Sequence, residues 1–379
     1  MKFFKLDTGV IRNFDTALAG EVEVFSTSLG AVLRSLVQEL GLIKAVGVVL
    51  VTLLGLGPTQ RAAVAGNLLR KKIRLPGVFG NPIIGGIYGA IKRFESGLLS
   101  AALGARLKRS APETVIIYNG SNYPESVLAQ IAESRDLRRV YVEAGFFPGT
   151  LQIDPKGLNA ANSVPRDPAF YLETDEDFAA QGLPEAVNNR ASKVVGDGEI
   201  ALEPGYVFVP FQVPSDMQVT LHSPWIQSME QFLDEVLAAA DRHPNDRFVI
   251  KEHPSFKRSV KGLRPDHPRV VFANDNVTSE LIANARTVIT LNSTVGIEAL
   301  LIDTPVITLG NGCYNIDGLV QHAPDQTQLD AALRNADWRP SAKLRQQFIG
   351  YLWNTYLMTG RYDDLPEDLS SQLALRASS

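Results

Sequence analysis

The sequence predicts an α/β protein made of two parallel-sheet domains. Short β-rich apolar runs alternate with helix-length amphipathic segments, the order that parallel βαβ units produce. The alternation breaks between about Asp154 and Pro204, where Pro, Gly, Asn and acids dominate without sustained periodicity. The chain has 379 residues and 45% hydrophobic content, enough for two packed cores.

Taken in order, Glu21 to Phe25 (EVEVF) reads as a strand that leads through a Ser/Thr/Gly turn into a helix from about Ala31 to Leu40. After the turn-rich Leu75 to Pro82, a second helical pattern runs from about Ile83 to Lys108. Thr114 to Tyr118 (TVIIY) is a continuous apolar run of the kind buried on both sheet faces, and a loop, a helix and a strand at Arg139 to Val142 complete a βαβ unit. The second set has strands at Tyr206 to Phe211, Arg247 to Ile250, Val270 to Phe272, Thr287 to Leu291 and Pro305 to Leu309. Helices are expected at Ser228 to Ala240, Thr278 to Asn284 and Gly296 to Ile302. The expected division is 1–200, 201–341, and a helical segment 342–379 that packs back on the first domain.

Cys313 is the single cysteine, which excludes an intramolecular disulfide framework and multi-cysteine metal sites and fits a reducing, cytoplasmic compartment. The N-terminal stretch carries charges where a signal peptide would be apolar. The most apolar run, Ala45 to Gly57, is short of the roughly 20 residues a spanning helix needs, so it reads as a buried element or a membrane-surface segment. Net charge is only −4, yet Arg34 to Arg109 holds twelve Lys/Arg against two acids. Basic residues interleaved with aliphatic ones suit an anionic inner-membrane surface, with ordinary solvated amphipathic helices as the alternative. The segment lacks the aromatic interleaving that stacks bases, so no nucleic-acid partner is expected.

Four stretches carry candidate chemistry. Lys251-Glu252-His253-Pro254 follows a strand, and side chains at the C-terminal end of a parallel strand project toward ligand. There Lys251 supplies charge to a phosphate oxygen and His253 a proton to a departing phosphate. Thr290 to Glu298 (TLNSTVGIE) ends a strand and opens a helix, so Ser293 or Thr294 caps it and its N-terminus offers an anion site, or the cap is purely structural. Glu143 ends a short strand beside small residues and is a general acid or base candidate. Asp216, just past the first strand of the second domain, is either a nucleophile partnered with Glu143 or an ordinary cap acid.

The segment Glu143 to Asp167 (EAGFFPGTLQIDPKGLNAANSVPRD) resembles a signature of the capsule polysaccharide biosynthesis family, which includes bacterial retaining β-Kdo glycosyltransferases. Four more motifs of that family follow in order: Gln212 to Gln218, Lys251 to Pro254, Thr290 to Leu300, and Gly310 to Leu319. The resemblance implies a GT-B fold of two Rossmann-like domains with an interdomain cleft. It also implies CMP-Kdo as donor and retention of the β configuration. Asp216 would be the nucleophile and Glu143 the acid/base, with His253, Lys251, Ser293 and Thr294 on the CMP phosphate and Glu298 on the ribose. Asn159, Ser163 and Arg166 would line the sugar pocket, with Arg166 on the Kdo carboxylate, and Gln212 is a further donor-binding candidate. No obligatory cofactor or metal is expected, because Lys and His can stabilise a single leaving phosphate. The acceptor would be a glycolipid or oligosaccharide of capsule or lipopolysaccharide synthesis, handled by a peripheral enzyme on the inner-membrane face. The rival readings are a transferase for another CMP-sugar such as sialic acid, a GT-B-like UDP-sugar epimerase, and a non-catalytic polysaccharide export partner.

Overall fold

The structure is a computed structural model that describes residues 2–54, 58–185, 198–256 and 258–378. Residues 55–57 of the apolar run, the side chain of Arg61, and 186–197 of the proposed linker lie outside the described residues. In chain order the first unit contains β1 (Phe3–Leu6), α1 (Asn13–Ala17), β2 (Val22–Phe25), α2 (Leu29–Leu40), α3 (Leu42–Leu54), α4 (Pro58–Arg74), α5 (Pro76–Phe79) and α6 (Pro82–Ser110). It continues with β3 (Thr114–Tyr118), α7 (Glu125–Ser134), β4 (Arg139–Ala144) and β5 (Thr150–Asp154). The second unit holds α8 (Pro168–Leu172), β6 (Tyr206–Pro210), α9 (Met217–Thr220), α10 (Met229–Arg242), β7 (Phe248–Lys251), β8 (Val270–Phe272), α11 (Thr278–Ala283), β9 (Ala285–Thr290), α12 (Thr294–Leu301) and β10 (Val306–Thr308). After β11 (Gln321–His322), α13 (Gln326–Arg334) and α14 (Ala342–Tyr351), the chain rejoins the first unit as β12 (Met358–Thr359) and α15 (Leu369–Arg376).

The first sheet has the order β12-β5-β4-β3-β1-β2. Its β2, β1, β3 and β4 are parallel, while β5 pairs antiparallel with both β4 and β12. Alternation along the strands feeds two cores: Phe4, Leu6, Val115 and Ile117 enter one, and Phe3, Ile116, Val140 and Val142 the other. The second sheet, β11-β10-β9-β6-β7-β8, is parallel throughout. β6 and β7 are buried on both faces, which is why they read as largely apolar runs. Both units are Rossmann-like, as the sequence predicts.

Three features differ from the sequence reading. The units change over between Ser163 and Val164, with Phe146–Pro148 also in the second, rather than near residue 200. The cause is aromatic packing: Tyr171 of α8 meets Phe348 of α14 with ring centroids 5.8 Å apart, and Phe146 stacks on Tyr356 at 6.2 Å. The same contacts keep 342–357 in the second unit, so only Met358–Ser379 returns to the first. Finally, the charged N-terminus is an interior strand beside the edge strand β2, with Lys5 burying its stem within β1 and pairing its ammonium with Asp15 at 2.5 Å.

In each sheet the chain turns in opposite directions from a pair of adjacent strands, β1/β3 in the first and β6/β9 in the second. Ligands of open α/β sheets bind outside the C-terminal ends of the strands at such a switch point. At β1/β3, buried Glu125 accepts from Thr8 Oγ1 and, at 3.3 Å, from Tyr118 N. Burial pushes its carboxyl up to about 7 from an ordinary 4.5. The folded chain therefore holds this proton more tightly than the unfolded one. The contribution is fully present below the unfolded value and is lost as pH rises through the folded one, a change of about 3 kcal/mol. Thermal unfolding of the wild type should fall between pH 5 and pH 8 more steeply than that of Glu125→Gln, and equal slopes would refute this assignment.

Candidate functional site

In the second unit, the ends of β6, β7 and β9 gather the candidates. Asn292, two residues past the end of β9, is the hub. Its Nδ2 donates to the carbonyls of Gln218 (2.9 Å), His222 (3.2 Å) and Asn311 (3.2 Å), and its Oδ1 accepts from Gln212 Nε2 at 3.1 Å. Gln212 Oε1 in turn accepts from Asn292 N at 3.4 Å, so the Gln212 amide is a strut between strand ends. That inward use differs from the donor-facing role expected of it.

Ser293 is the N-cap of α12, its Oγ accepting from Val295 N at 3.2 Å, and Thr294 is the first helical residue. The carbonyl of Ser293 is fixed by Tyr314 Oη at 2.6 Å, and a Cβ on Gly296 would lie 2.6 Å from that oxygen, which is why glycine stands there. Both residues keep partial exposure at the helix N-terminus, whereas Glu298 is buried one turn further along. Asp216 is exposed and is the N-cap of α9, its Oδ1 accepting from Gln218 N at 3.0 Å. The cap interaction expected as the bland alternative is thus present, and it fixes the carboxylate's rotamer at the switch point.

Lys251 is buried at the end of β7, donating from Nζ to the carbonyls of Asn274 (2.7 Å) and Asn276 (2.5 Å). Burial lowers its ammonium below the usual lysine range, against the opposing pull of Asp275 and Glu199. It braces the β7 end against the chain after β8. His253 is half-buried, and its Nδ1 accepts from Ser255 N at 3.2 Å, which assigns the proton of the neutral ring to Nε2. Glu252 holds this loop by accepting from Ser259 Oγ (2.6 Å), Val260 N (2.6 Å) and Asn274 Nδ2 (3.0 Å). A pocket beside His253 is lined by Phe211, Gln212, Phe256 and Arg258. Arg166 contacts the Val164 carbonyl in this unit, apart in the chain division from Asn159 and Ser163.

In the first unit, Glu143 on β4 is half-buried and accepts one amide on each oxygen, from Asn119 Nδ2 (3.1 Å) and Asn159 Nδ2 (3.2 Å). Asn119 and Asn159 both adopt positive φ, 59° and 54°, a conformation Asn tolerates and bulkier residues resist. Asn159 is itself braced by Gln152 Nε2 at 3.3 Å. Ser163 directs Oγ to Asp154 Oδ2 at 2.6 Å, a structural bond inside the same loop. Burial, with Glu143 as the next cause, raises the Tyr118 hydroxyl above its usual range.

Sequence reasoning missed Asn292, Asn119, Gln152 and His222. Asn292 and Asn119 share a detectable signal, an Asn one or two residues past the end of a buried strand. His222 lies near Asp216, and its Nε2 is buried with no hydrogen-bond partner; burial lowers its pKa while Asp216 opposes.

A parallel sheet whose switch point carries a helix N-terminus, a capped carboxylate and a histidine is the plan of a ligand-binding Rossmann-like protein. The chain belongs to the capsule polysaccharide biosynthesis protein family, whose profile matches residues 195–362. It is 54% identical to Protein FixF of Sinorhizobium fredii (strain NBRC 101917 / NGR234), over 98% of this chain and 92% of that protein. It is 32% identical to the capsule polysaccharide export protein KpsS of Escherichia coli, over 58% of this chain and 72% of that protein. Among solved structures, Thermosulfurimonas dismutans KpsC, beta Kdo 2,7 transferase, aligns over 100% of both chains at TM-score 0.47 and 13% identity.

Proposed function

We propose that the protein is a retaining glycosyltransferase that moves β-Kdo from CMP-Kdo to a glycolipid or oligosaccharide acceptor. The observation that carries this reading is the gathering of Asp216, Ser293, Thr294 and His253 at the strand ends around the β6/β9 switch point. The α12 N-terminus and the hydroxyls of Ser293 and Thr294 suit a single phosphate, and His253 Nε2–H suits a leaving oxygen. Asp216 attacks the anomeric carbon, the bond to phosphate breaks and CMP departs with its electron pair. The acceptor hydroxyl then attacks the same carbon, Asp216 leaves as carboxylate and the hydroxyl proton passes to a general base, a role for which the family resemblance offers Glu143 of the first unit. Two displacements restore the starting configuration.

Lys251, Gln212 and Ser163 support the reading as braces rather than as ligand contacts, and Arg166 is the proposed partner of the sugar carboxylate. No obligatory metal enters this scheme. Kdo rather than sialic acid rests on the five ordered motifs and the family. CMP release should be measured side by side from CMP-Kdo and CMP-sialic acid. Acceptor-dependent release from CMP-Kdo supports the proposal, and release from CMP-sialic acid alone rejects it.

A further inference from the structure

We propose that α3 lies in the interfacial layer of an anionic phospholipid bilayer, inserting its outward face among the acyl chains while neighbouring basic side chains meet the headgroups. The inference is independent of which sugar is transferred. α3 is anchored by one side only: Ala45 and Thr52 are buried, and a Cβ at Gly97 of α6 would lie 2.4 Å from Thr52 Cγ2. That close approach fixes which side faces out. The outward side is aliphatic: Leu42, Ile43, Val46, Leu50, Leu53 and Leu54 are all exposed, Ile43 and Leu54 to 89%. With Val51, itself 68% exposed, they span a sector of about 180° at 3.6 residues per turn. Leaving such a continuous apolar face in water is unfavourable and marks an interaction surface.

Charge selects the occupant. Between Leu40 and Phe94 the sequence has eight Lys/Arg and no Asp or Glu. Lys44 and Lys72 are exposed. A second copy of this chain would bring like charge against like, whereas an anionic lipid surface complements it. The exposed face also lacks the Trp, Tyr and Arg anchors that dominate protein interfaces. The described 13 residues of α3 extend about 20 Å against a hydrocarbon core of about 30 Å. No helix among the described residues is long and apolar enough to cross a membrane.

The test uses the full chain with phosphatidylcholine vesicles, with and without phosphatidylglycerol. Wild type should cosediment with the anionic vesicles and at least about tenfold less with neutral ones. The combined Ile43→Ser, Leu50→Ser, Leu54→Ser variant should keep its circular dichroism and lose partition roughly 100-fold. Lys44→Gln, Lys71→Gln, Lys72→Gln together should weaken partition roughly tenfold at low salt and less at high salt. Leu54→Trp should show blue-shifted emission only with anionic vesicles. Wild type remaining in the supernatant with both vesicle types overturns the proposal, as does the triple Ser variant binding as well as wild type. So does a dimer that the Ser substitutions convert to monomer without any vesicle binding, which would assign the face to a second copy.

Discussion

Replacing Asp216 by alanine is expected to lower glycosyl transfer by on the order of 10⁴-fold while leaving the fold intact. In the proposed mechanism the substitution removes the covalent nucleophile, leaving the donor without a path for the first displacement. The structural cost is small by comparison. Asp216 caps α9, a four-residue helix, through one bond to Gln218 N, and losing such a cap costs about 1 kcal/mol. Asp216→Ser, which restores a capping oxygen without a carboxylate, separates the two roles. The serine variant should recover the stability lost by alanine and none of the activity. Recovery of activity by serine would reduce Asp216 to a cap.

Glu143→Gln should slow transfer by roughly 10² to 10⁴-fold, through a different step. Here the donor half of the reaction survives. The expected result is a single equivalent of CMP released in a burst, followed by accumulation of a sugar adduct on the protein visible by intact-mass measurement. Asp216→Ala should give neither burst nor adduct. Glutamine also disturbs the support of the site, since the Asn119 and Asn159 amides both donate to Glu143 and an NH₂ group cannot accept from either. Glu143→Asp is the control for that disturbance, retaining the base with a shorter reach and a smaller loss. A Glu143→Gln variant that turns over normally would remove this residue from proton transfer.

How far the sequence carries the fold differs from strand to strand. The runs Thr114–Tyr118 and Val270–Phe272 are read with the bounds the structure has, because β-branched apolar residues bounded by turn residues allow little else. β1 escapes because Lys5 interrupts its apolar run, and only the tertiary pairing with Asp15 makes a buried lysine acceptable. β5 escapes for another reason: its antiparallel pairing with β4 has no counterpart in a βαβ pattern. The domain change is misplaced by sequence because a polar, irregular stretch resembles a linker even where Tyr171 and Phe178 are already in the second core.

The strand-end positions of the candidate residues are legible in the sequence, and the partners of their side chains are not. Motif positions after strands put Asp216 and Ser293 past the ends of β6 and β9 and His253 past the end of β7, since that follows from parallel topology alone. Which side chains turn inward depends on partners distant in the chain. Lys251 meets the carbonyls of Asn274 and Asn276, and Gln212 meets Asn292, so both are consumed by the scaffold. Asn292 gathers carbonyls from three loops, a convergence no local spacing announces. The apolar run of α3 is buried at Ala45 and Thr52 and exposed along its other side, a division that apolar content alone does not announce.

The proposed reaction is transfer of β-Kdo from CMP-Kdo. Its most direct test is mass spectrometry and NMR of the product formed by the purified chain from CMP-Kdo and candidate glycolipid or oligosaccharide acceptors. The expected product is an acceptor extended by one Kdo residue in the β configuration, with CMP formed in equal amount. An acceptor left unmodified across that panel while CMP-Kdo stays intact, or a product carrying α-linked Kdo, would contradict it.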